Sequence, residues 1–494
     1  MSDQYLTFRS TPSGKSKDKT HIIIVGAGII GVCTAYYLTK HPDFNKDTHH
    51  ITIIESRRVA GGASGKAGGL LALWAFPQQI VPLSFKLHQE LSDEYNGEDE
   101  WGYRRLTTVS LEGNIENSLL NDSEEDEVSS LTEASEKTDL KSTPSTSQES
   151  LKLEDNLQTD ITTTNDANDT NEQINESKTF TTNSTGSIGK PLQKRRTVTK
   201  NSIKQEHLSS TPHLPSELNW IKDNVIQDWS ELGGKDSTAQ VHPYKFTNFI
   251  LRKAVESGAV ELILGKVEEI LFSGETGCAT GLTYTPTRNN GKTEEEIVEI
   301  LGDQIVLSMG PWTSKILPDC PISGLRAHSI TIAPHRGMVS PYAIFTELKI
   351  GNSQYVSPEM YARKDEVYVC GEGDTLVDLP ETTDDVEVIK EKCDELFHYV
   401  GKLSPNLAKG HILKRQACYL PVLDVPSSSG PLIGETNVEN LYLASGHSCW
   451  GINNAPGTGK ILAELLLEGE AHSADISALD PSLYFDASVL IDEE

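Results

Sequence analysis

The stretch HIIIVGAGIIGVCTAYYL, from His21 to Leu38, constrains the fold more than any other part of the chain. Ile22 to Val25 read as a buried strand that runs directly into Gly26-x-Gly28-x-x-Gly31. The spacing of Ile29, Val32, Cys33, Tyr36 and Tyr37 starts a helix inside the glycine run. A strand that turns into a helix over three glycines predicts a parallel α/β sheet, with a separate task for each glycine. Gly26 makes the tight turn, Gly28 lets backbone approach a pyrophosphate, and Gly31 lets the helix lie close on the sheet. The N–H groups at the helix start and its partial positive charge then favour phosphate. A second strand, Ile51 to Ile54, ends in Glu55, 24 residues after Gly31. A carboxylate there accepts hydrogen bonds from a ribose diol. The spacing predicts a dinucleotide site.

Other segments narrow the type. Glu55 is followed by Ser56 and Arg57, and then by the loop Gly61-Gly62-Ala63-Ser64-Gly65-Lys66-Ala67-Gly68-Gly69-Leu70. A second glycine loop so near the ribose carboxylate is not the pattern of a nicotinamide dehydrogenase. His242-Pro243-Tyr244 opens a helix with Phe246, Phe249, Ile250 and Ala254 on one face and Gly258 as its stop. GDQIVLSMGPWTSKIL (302–317) pairs a strand with a Gly310-Pro311-Trp312 turn. Near the C-terminus, ASGHSCWGINNAPGTGK (444–460) sets Gly446, Gly451, Gly457 and Gly459 where backbone can lie against a flat ring. It predicts a helix starting at Gly457 or Thr458 with its positive end towards that ring. Further strand-like runs fall at 260–264, 267–272, 327–332, 366–370 and 441–444.

In this order the segments resemble the D-amino-acid oxidase family of FAD-dependent oxidoreductases, over 21–111 and 213–470. The resemblance implies an α/β chain: a Rossmann-like FAD-binding domain, with helices on a parallel sheet, and a substrate domain with a mainly antiparallel sheet. It places the discontinuous FAD-binding domain at 21–84, 213–265, 300–318 and 411–470, and the substrate domain at 85–111, 266–299 and 319–410. It also implies noncovalent FAD. The first glycine motif and the ribose strand would contribute Gly26, Gly28, Ile29, Ile30, Gly31, Glu55, Ser56 and Arg57, with Val267 beside them. The second loop would contribute Ser64, Gly65, Gly68, Gly69 and Leu70; the turn, Gly310 and Trp312; the closing segment, Gly446, His447, Gly451 and Ile452. For His447, a hydrogen bond to the cofactor and a purely structural role both stay open. Lys66 stands where some relatives carry a histidyl link to flavin, and Cys418 lies near a segment where others form a cysteinyl one, at imperfect spacing.

The implied chemistry is oxidation of a small amine, amino acid or imino acid by hydride transfer from its C–N carbon to flavin. Amino-acid-oxidising members often hold the substrate carboxylate with an arginine, and here the chain departs from the family. Leu420 occupies the expected place, within Gln416-Ala417-Cys418-Tyr419-Leu420-Pro421. Arg415, Arg336, Arg326 and Arg363 remain as substitutes. Tyr361 and Tyr419 either close the substrate face or belong to the core. No side chain is singled out as catalytic.

Charge and composition exclude other classes. The chain carries 43 Lys and Arg against 72 Asp and Glu, a formal charge of −29, which gives nucleic-acid binding no electrostatic basis. Residues 112–189 hold 18 acidic and 4 basic side chains in a Ser/Thr/Asn-rich tract, too poor in apolar groups to offset the entropy of ordering it. We read 112–210 as a disordered acidic insertion, 1–20 as a flexible arm and 471–494 as a tail. The longest apolar run, Leu70 to Phe76, is too short for a membrane span, and the first residues lack the apolar core of a secretory signal. Seven scattered cysteines with no CxxC indicate reduced thiols in the cytoplasm and no metal site. The run Cys449-Trp450-Gly451-Ile452-Asn453-Asn454 resembles a fungal branch of the family that also carries a long polar insertion. That branch is linked to cargo retrieval from late endosome to Golgi. The resemblance therefore implies a transient endosomal association, and an alternative reading as a flavin-binding regulatory protein with little turnover.

Overall fold

An apolar run with no polar interruption must be buried on both faces when it forms a strand. Thr20–Val25 has that place. In the computed structural model, which describes residues 6–118, 213–287, 296–425 and 430–491, this strand lies within a nine-stranded sheet. His49–Glu55 and Gln304–Leu307 pair with it in parallel, and Val260–Phe272 and Leu441–Ser445 extend the parallel core on either side. Leu432–Glu435 finishes one edge antiparallel; Ala279–Pro286 and then Val298–Leu301 finish the other. Ile22, Ile24, Ile51 and Ile53 pack with Val32, Phe246, Ile250 and Leu462, from the helices Ile29–Lys40, Pro243–Glu256 and Gly451–Glu468. Ile23, Ile54, Ile263 and Ile305 belong to a second core with Leu282, Tyr284 and Leu443. The alternation assigns successive strand residues to opposite layers.

The second sheet has eight strands and is mainly antiparallel. Its order is His411–Leu423, Ile322–Ala333, Val367–Asp374, Glu359–Ala362, Tyr342–Gly351, Thr107–Asn114, Ile226–Gly233, with Gln354–Val356 beside Tyr342–Gly351. Tyr342–Gly351 and Thr107–Asn114 run parallel. The helix Lys390–Leu403 contributes Cys393, Leu396 and Val400 to a core with Ile330, Ile344 and Val369. A single bridge, Val422 with His447, joins His411–Leu423 to the closing loop of the first sheet. No helix among the described residues is long and apolar enough to cross a membrane.

Several boundaries differ from the sequence reading. Residues 260–264 and 267–272 form one 13-residue strand, Val260–Phe272, which runs through the expected domain boundary at 265–266. It carries Ala279–Pro286 and Val298–Leu301 into the nucleotide-binding sheet, although 266–299 is expected in the substrate domain. An antiparallel texture in sequence does not say which sheet a hairpin extends. Glu112 to Asn114 complete Thr107–Asn114, and Ile115 through Ser118 are also placed; the rest of the 112–210 insertion lies outside the described residues. Within the expected arm, Phe8–Arg9 pairs in parallel with Leu262 and Ile263, the Ser13 N–H donates to Glu261 Oε1 at 2.9 Å, and the Tyr284 hydroxyl donates to the Ser10 carbonyl at 3.0 Å.

The closing helix starts at Gly451, six residues before the expected Gly457. Pro456 lies inside this helix, where it has no N–H for the Ile452 carbonyl and its ring crowds that carbonyl. Two side chains from the helix Val81–Tyr95 carry the closing helix through this defect. His88 Nε2 donates to the Ile452 carbonyl at 2.9 Å. The Ser84 hydroxyl donates to the Asn453 carbonyl at 2.7 Å and accepts the Gly457 N–H at 2.9 Å.

Candidate cofactor site

The carboxyl ends of the parallel strands meet where the glycine motif turns. Gly26 sits at φ +102°, and a Cβ there would lie 2.8 Å from the Ser308 carbonyl oxygen. At Gly31 a Cβ would lie 2.3 Å from the Gly26 carbonyl oxygen, so the helix rests on the turn at a distance that only glycine permits. Gly28 differs: a Cβ there would meet only Ser64 Oγ, at 3.1 Å, and otherwise open space. The Ile29 N–H donates to Ser64 Oγ at 2.9 Å, which ties the second glycine loop to the helix start. Glu55 accepts the Ala27 N–H on Oε2 and the Arg57 N–H on Oε1, both at 2.9 Å, and the Ser56 hydroxyl at 3.3 Å. Burial pushes its carboxyl above the usual range, and these donors oppose the shift.

Two adjoining cavities share Gly26, Glu55, Met309, Trp312 and Thr383 in their walls. One continues past Ser56, Gly265 and Val267. The other continues past Gly28, Ile29, Ile30, Ser64 and Gly310 to His447, Gly451 and Ile452. Together they form a trough that brings the two ends of the chain to one place. The remaining expected residues stand behind the walls. Arg57 donates from Nε to Thr382 Oγ1 at 3.2 Å. A Cβ on Gly65 would lie 2.2 Å from the Ala60 carbonyl oxygen, and one on Gly68 would lie 2.2 Å from the Tyr361 ring. Gly69 and Gly446 take positive φ, and Leu70 is buried in Leu70–Ala72.

The trough also has walls that the sequence reading missed. Ser308, Met309 and Ser445 follow directly on Gln304–Leu307 and the end of Leu441–Ser445, so the rule that ligands sit at the carboxyl ends of parallel strands could have found them. Leu420, Pro421, Ser448 and Cys449 line the Gly451 end, with Ser448 held at φ +52°. Thr383 belongs to the stretch between Val367–Asp374 and Lys390–Leu403, far from every motif.

Charge at the Gly451 end is scarce. His447 lines it, but its Nε2 faces Thr458 Oγ1 at 3.1 Å, and burial takes its pKa down to about 3, so the imidazole is neutral. Three of the four candidate arginines are paired elsewhere, and the fourth lies on the surface. Arg326, 1% exposed, pairs with Asp374 at 3.1 Å and Glu387 at 2.9 Å. Arg363 donates to the Ala67 and Gly68 carbonyls at 2.5 and 3.2 Å and pairs with Glu366 at 2.6 Å, which fixes the glycine loop from behind. Arg415 pairs with Asp394 at 2.6 Å, and Arg336 lies on an exposed turn beside Asn406. None of the four lines either cavity, and no Lys or Arg among the described residues lines the Gly451 end.

The other candidates are likewise set back from the trough. The Lys66 ammonium donates to the Ala417 carbonyl at 2.9 Å, and burial lowers its pKa. Burial raises the Cys418 thiol to about 11. The Tyr419 hydroxyl turns to the Asp378 carbonyl at 3.1 Å, and the Tyr361 hydroxyl bonds to Glu359 behind Gly68.

These walls fit FAD. Gly28 leaves room for backbone to meet a diphosphate, Glu55 can hold a ribose, and a long closing helix presents its N-terminus, Gly451 and Ile452, to the far end. The pattern of the family described as "FAD dependent oxidoreductase" (DAO) matches residues 21–157 and 217–465. The chain is 55% identical to the "Putative oxidoreductase TDA3" of Saccharomyces cerevisiae, across 98% of each chain. It is 32% identical to the "Putative oxidoreductase C1F5.03c" of Schizosaccharomyces pombe, across 93% of this chain and 97% of that one. Its fold is similar to that of the iminodiacetate oxidase IdaA from Chelativorans sp. BNC1, with a TM-score of 0.58 at 15% identity, across 93% of this chain and 98% of that one. It is similar also to the glycine oxidase from Bacillus cereus, with a TM-score of 0.56 at 16% identity, across 92% of this chain and 96% of that one.

Proposed function

The chain belongs to the family of FAD-dependent oxidoreductases, and we propose that within it this protein oxidises the C–N bond of a small amine whose recognition needs no arginine–carboxylate pair. Noncovalent FAD, when bound, supplies the two-electron acceptor for the hydride that leaves the substrate carbon. The chain's own part is binding and orientation. Gly26, Gly28 and the start of Ile29–Lys40 receive the diphosphate, and Glu55 holds the ribose hydroxyls. Leu420, Pro421 and Ile452 give the far end an apolar wall that excludes water. Trp450, buried behind it and packed at 5.5 Å on Trp74 and 6.1 Å on Phe76, stiffens that wall.

The observation that favours an amine over an amino acid is the charge of that end. Among the described residues it is lined by a neutral histidine and by no Lys or Arg. An unpaired substrate carboxylate would enter at a desolvation cost that nothing there offsets. A seat in the cytosol belongs to the same proposal, supported by seven unpaired cysteines.

Anaerobic titration of the yellow holoprotein tests the reading. Simple amines should bleach the visible flavin band faster than the amino acids that share their side chains. Faster bleaching by the amino acids would reverse the substrate class. Reduction by dithionite alone, across a wide panel of amines and imines, would favour instead a flavin-binding regulatory protein, of the kind linked to retrieval from late endosomes.

A further inference from the structure

Residues 375–389 leave the substrate sheet at the end of Val367–Asp374, cross the middle of the trough and return to the helix Lys390–Leu403. This strap is tied down along its length to residues that flank the cofactor site. The Pro380 carbonyl accepts Trp312 Nε1–H at 2.8 Å. Glu381 pairs with Lys315 at 2.8 Å and with Lys266, the neighbour of Val267, at 3.3 Å. Thr382 Oγ1 accepts from Arg57 Nε, and Asp384 pairs with Arg58 at 2.8 Å. Glu381, Thr382 and Thr383 form part of the wall beside Val267, and Thr383 alone of the strap lines both cavities.

Thr383 is also the strap residue with an unmet need. Its Oγ1 is buried and has no hydrogen-bond partner, while the hydroxyl of its neighbour Thr382 donates to Asp385 Oδ2 at 2.6 Å. A buried hydroxyl without a partner is costly, and natural structures rarely keep one unless something else satisfies it. Its position decides what that is. Oγ1 lies 2.7 Å from where a Cβ on Gly61 would stand, and Thr383 belongs to the wall shared by the Val267 half and the Gly451 half of the trough. In a dinucleotide lying along that trough, the link between the two halves is the diphosphate.

We propose that the strap is a clasp over the cofactor and that Thr383 donates its hydroxyl to the FAD diphosphate, from the side opposite Gly28. Three surface ion pairs and two hydrogen bonds hold the clasp to the residues that flank the cofactor site, each ion pair alone being weak, while Asp378, Glu387 and Ile389 are tied to Tyr419, Arg326 and His328 of the clasp's own sheet. The strap can therefore open for loading and become ordered when the diphosphate meets Thr383. Cofactor occupancy would then be sensed by the sheet that carries the strap.

The full-length chain, stripped of FAD and titrated by quenching of flavin fluorescence, provides the test. Thr383→Val should raise the Kd for FAD by about 10-fold, the effect of one lost hydrogen bond to a charged oxygen. In competition titrations ADP, which carries the diphosphate without flavin, should weaken by the same factor, and adenosine should be unaffected. Thr383→Ser should keep wild-type affinity. FAD binding by Thr383→Val at wild-type strength overturns the proposal, and so does a loss for FAD that ADP does not share. Hydrogen exchange on the wild-type chain gives an independent reading should the valine variant fail to fold. Amides of 375–389 should gain protection on addition of FAD and of ADP; exchange unchanged by both overturns the clasp.

Discussion

Replacing Ser84 with alanine removes one oxygen atom from the core, and the structure says what it should cost. Ser84 is fully buried, and its hydroxyl both donates to the Asn453 carbonyl at 2.7 Å and accepts the Gly457 N–H at 2.9 Å. In an uninterrupted helix those two groups would bond to each other. Here Pro456, one residue before, crowds the Ile452 carbonyl and holds the turn open, so the hydroxyl is inserted between them. Alanine leaves a buried donor and a buried acceptor unmet, at about 1–3 kcal/mol each, or about 2–6 kcal/mol together. At about 3 kcal/mol the ratio of folded to unfolded chain falls by about 100-fold. Urea unfolding of the holoprotein, followed by tryptophan fluorescence, measures the loss. Pro456→Ala supplies the control, because without the proline ring the helix can close and Gly457 can reach Asn453 directly. Ser84→Ala should then cost at least about 1 kcal/mol less in that background than in the wild type. A loss below about 0.5 kcal/mol, or the same loss with and without Pro456, would refute the account of the helix.

Other substitutions probe the trough and the buried imidazoles. Gly28→Val places a branched side chain 3.1 Å from Ser64 Oγ and into the cavity, so the purified protein should be folded and colourless; full flavin occupancy would contradict the diphosphate site. Glu55→Gln removes the carboxylate proposed to hold the ribose while keeping an acceptor for the Ala27 N–H, and FAD should bind about 10-fold more weakly, read by flavin fluorescence. Burial lowers the pKa of His88 to about 4 and of His447 to about 3, below the ordinary 6.5 that applies once the chain unfolds. Each imidazole binds a proton less readily when folded. Its contribution is therefore complete above about pH 6.5 and declines with acidification, by about 1.4 kcal/mol per pH unit for each. His88→Gln should remove one proton's share of the slope of unfolding free energy between about pH 6 and pH 4.5; a slope identical to the wild type would mean that His88 is already charged in the fold.

What could be read in advance follows from the range of the interactions involved. The strand before Gly26, the turn and the helix after it are all local, because Ile22 to Val25 need burial on both faces and Gly31 must meet Gly26 five residues away. Glu55 was legible for a related reason: a short βα unit fixes where the next strand ends. Other features depend on partners distant in sequence. Nothing near Pro456 announces that Ser84 and His88 will carry a helix through it, so the six residues before Gly457 give no local sign that the helix has begun. Nothing near Ala279 tells an antiparallel hairpin to extend the nucleotide-binding sheet.

Leu420 shows how far that limit reaches into function. Its sequence neighbours indicated that the carboxylate-binding arginine was absent from its usual place, but not whether another arginine took over. The answer lies in the partners of three of the candidates, each between 3 and more than 290 residues away: Asp374 and Glu387 for Arg326, Glu366 and the Ala67 and Gly68 carbonyls for Arg363, and Asp394 for Arg415; Arg336 lies on an exposed turn outside both cavities. Arg363 is the informative case. Its guanidinium lies behind the glycine loop, near the site, with donors committed to the carbonyls that shape the loop and to Glu366. A side chain with those duties cannot turn to a substrate without releasing Ala67 and Gly68 and breaking its ion pair with the half-buried Glu366. Arg363 thus holds the glycine loop and is not available to a substrate, which supports the proposal of a substrate without a carboxylate.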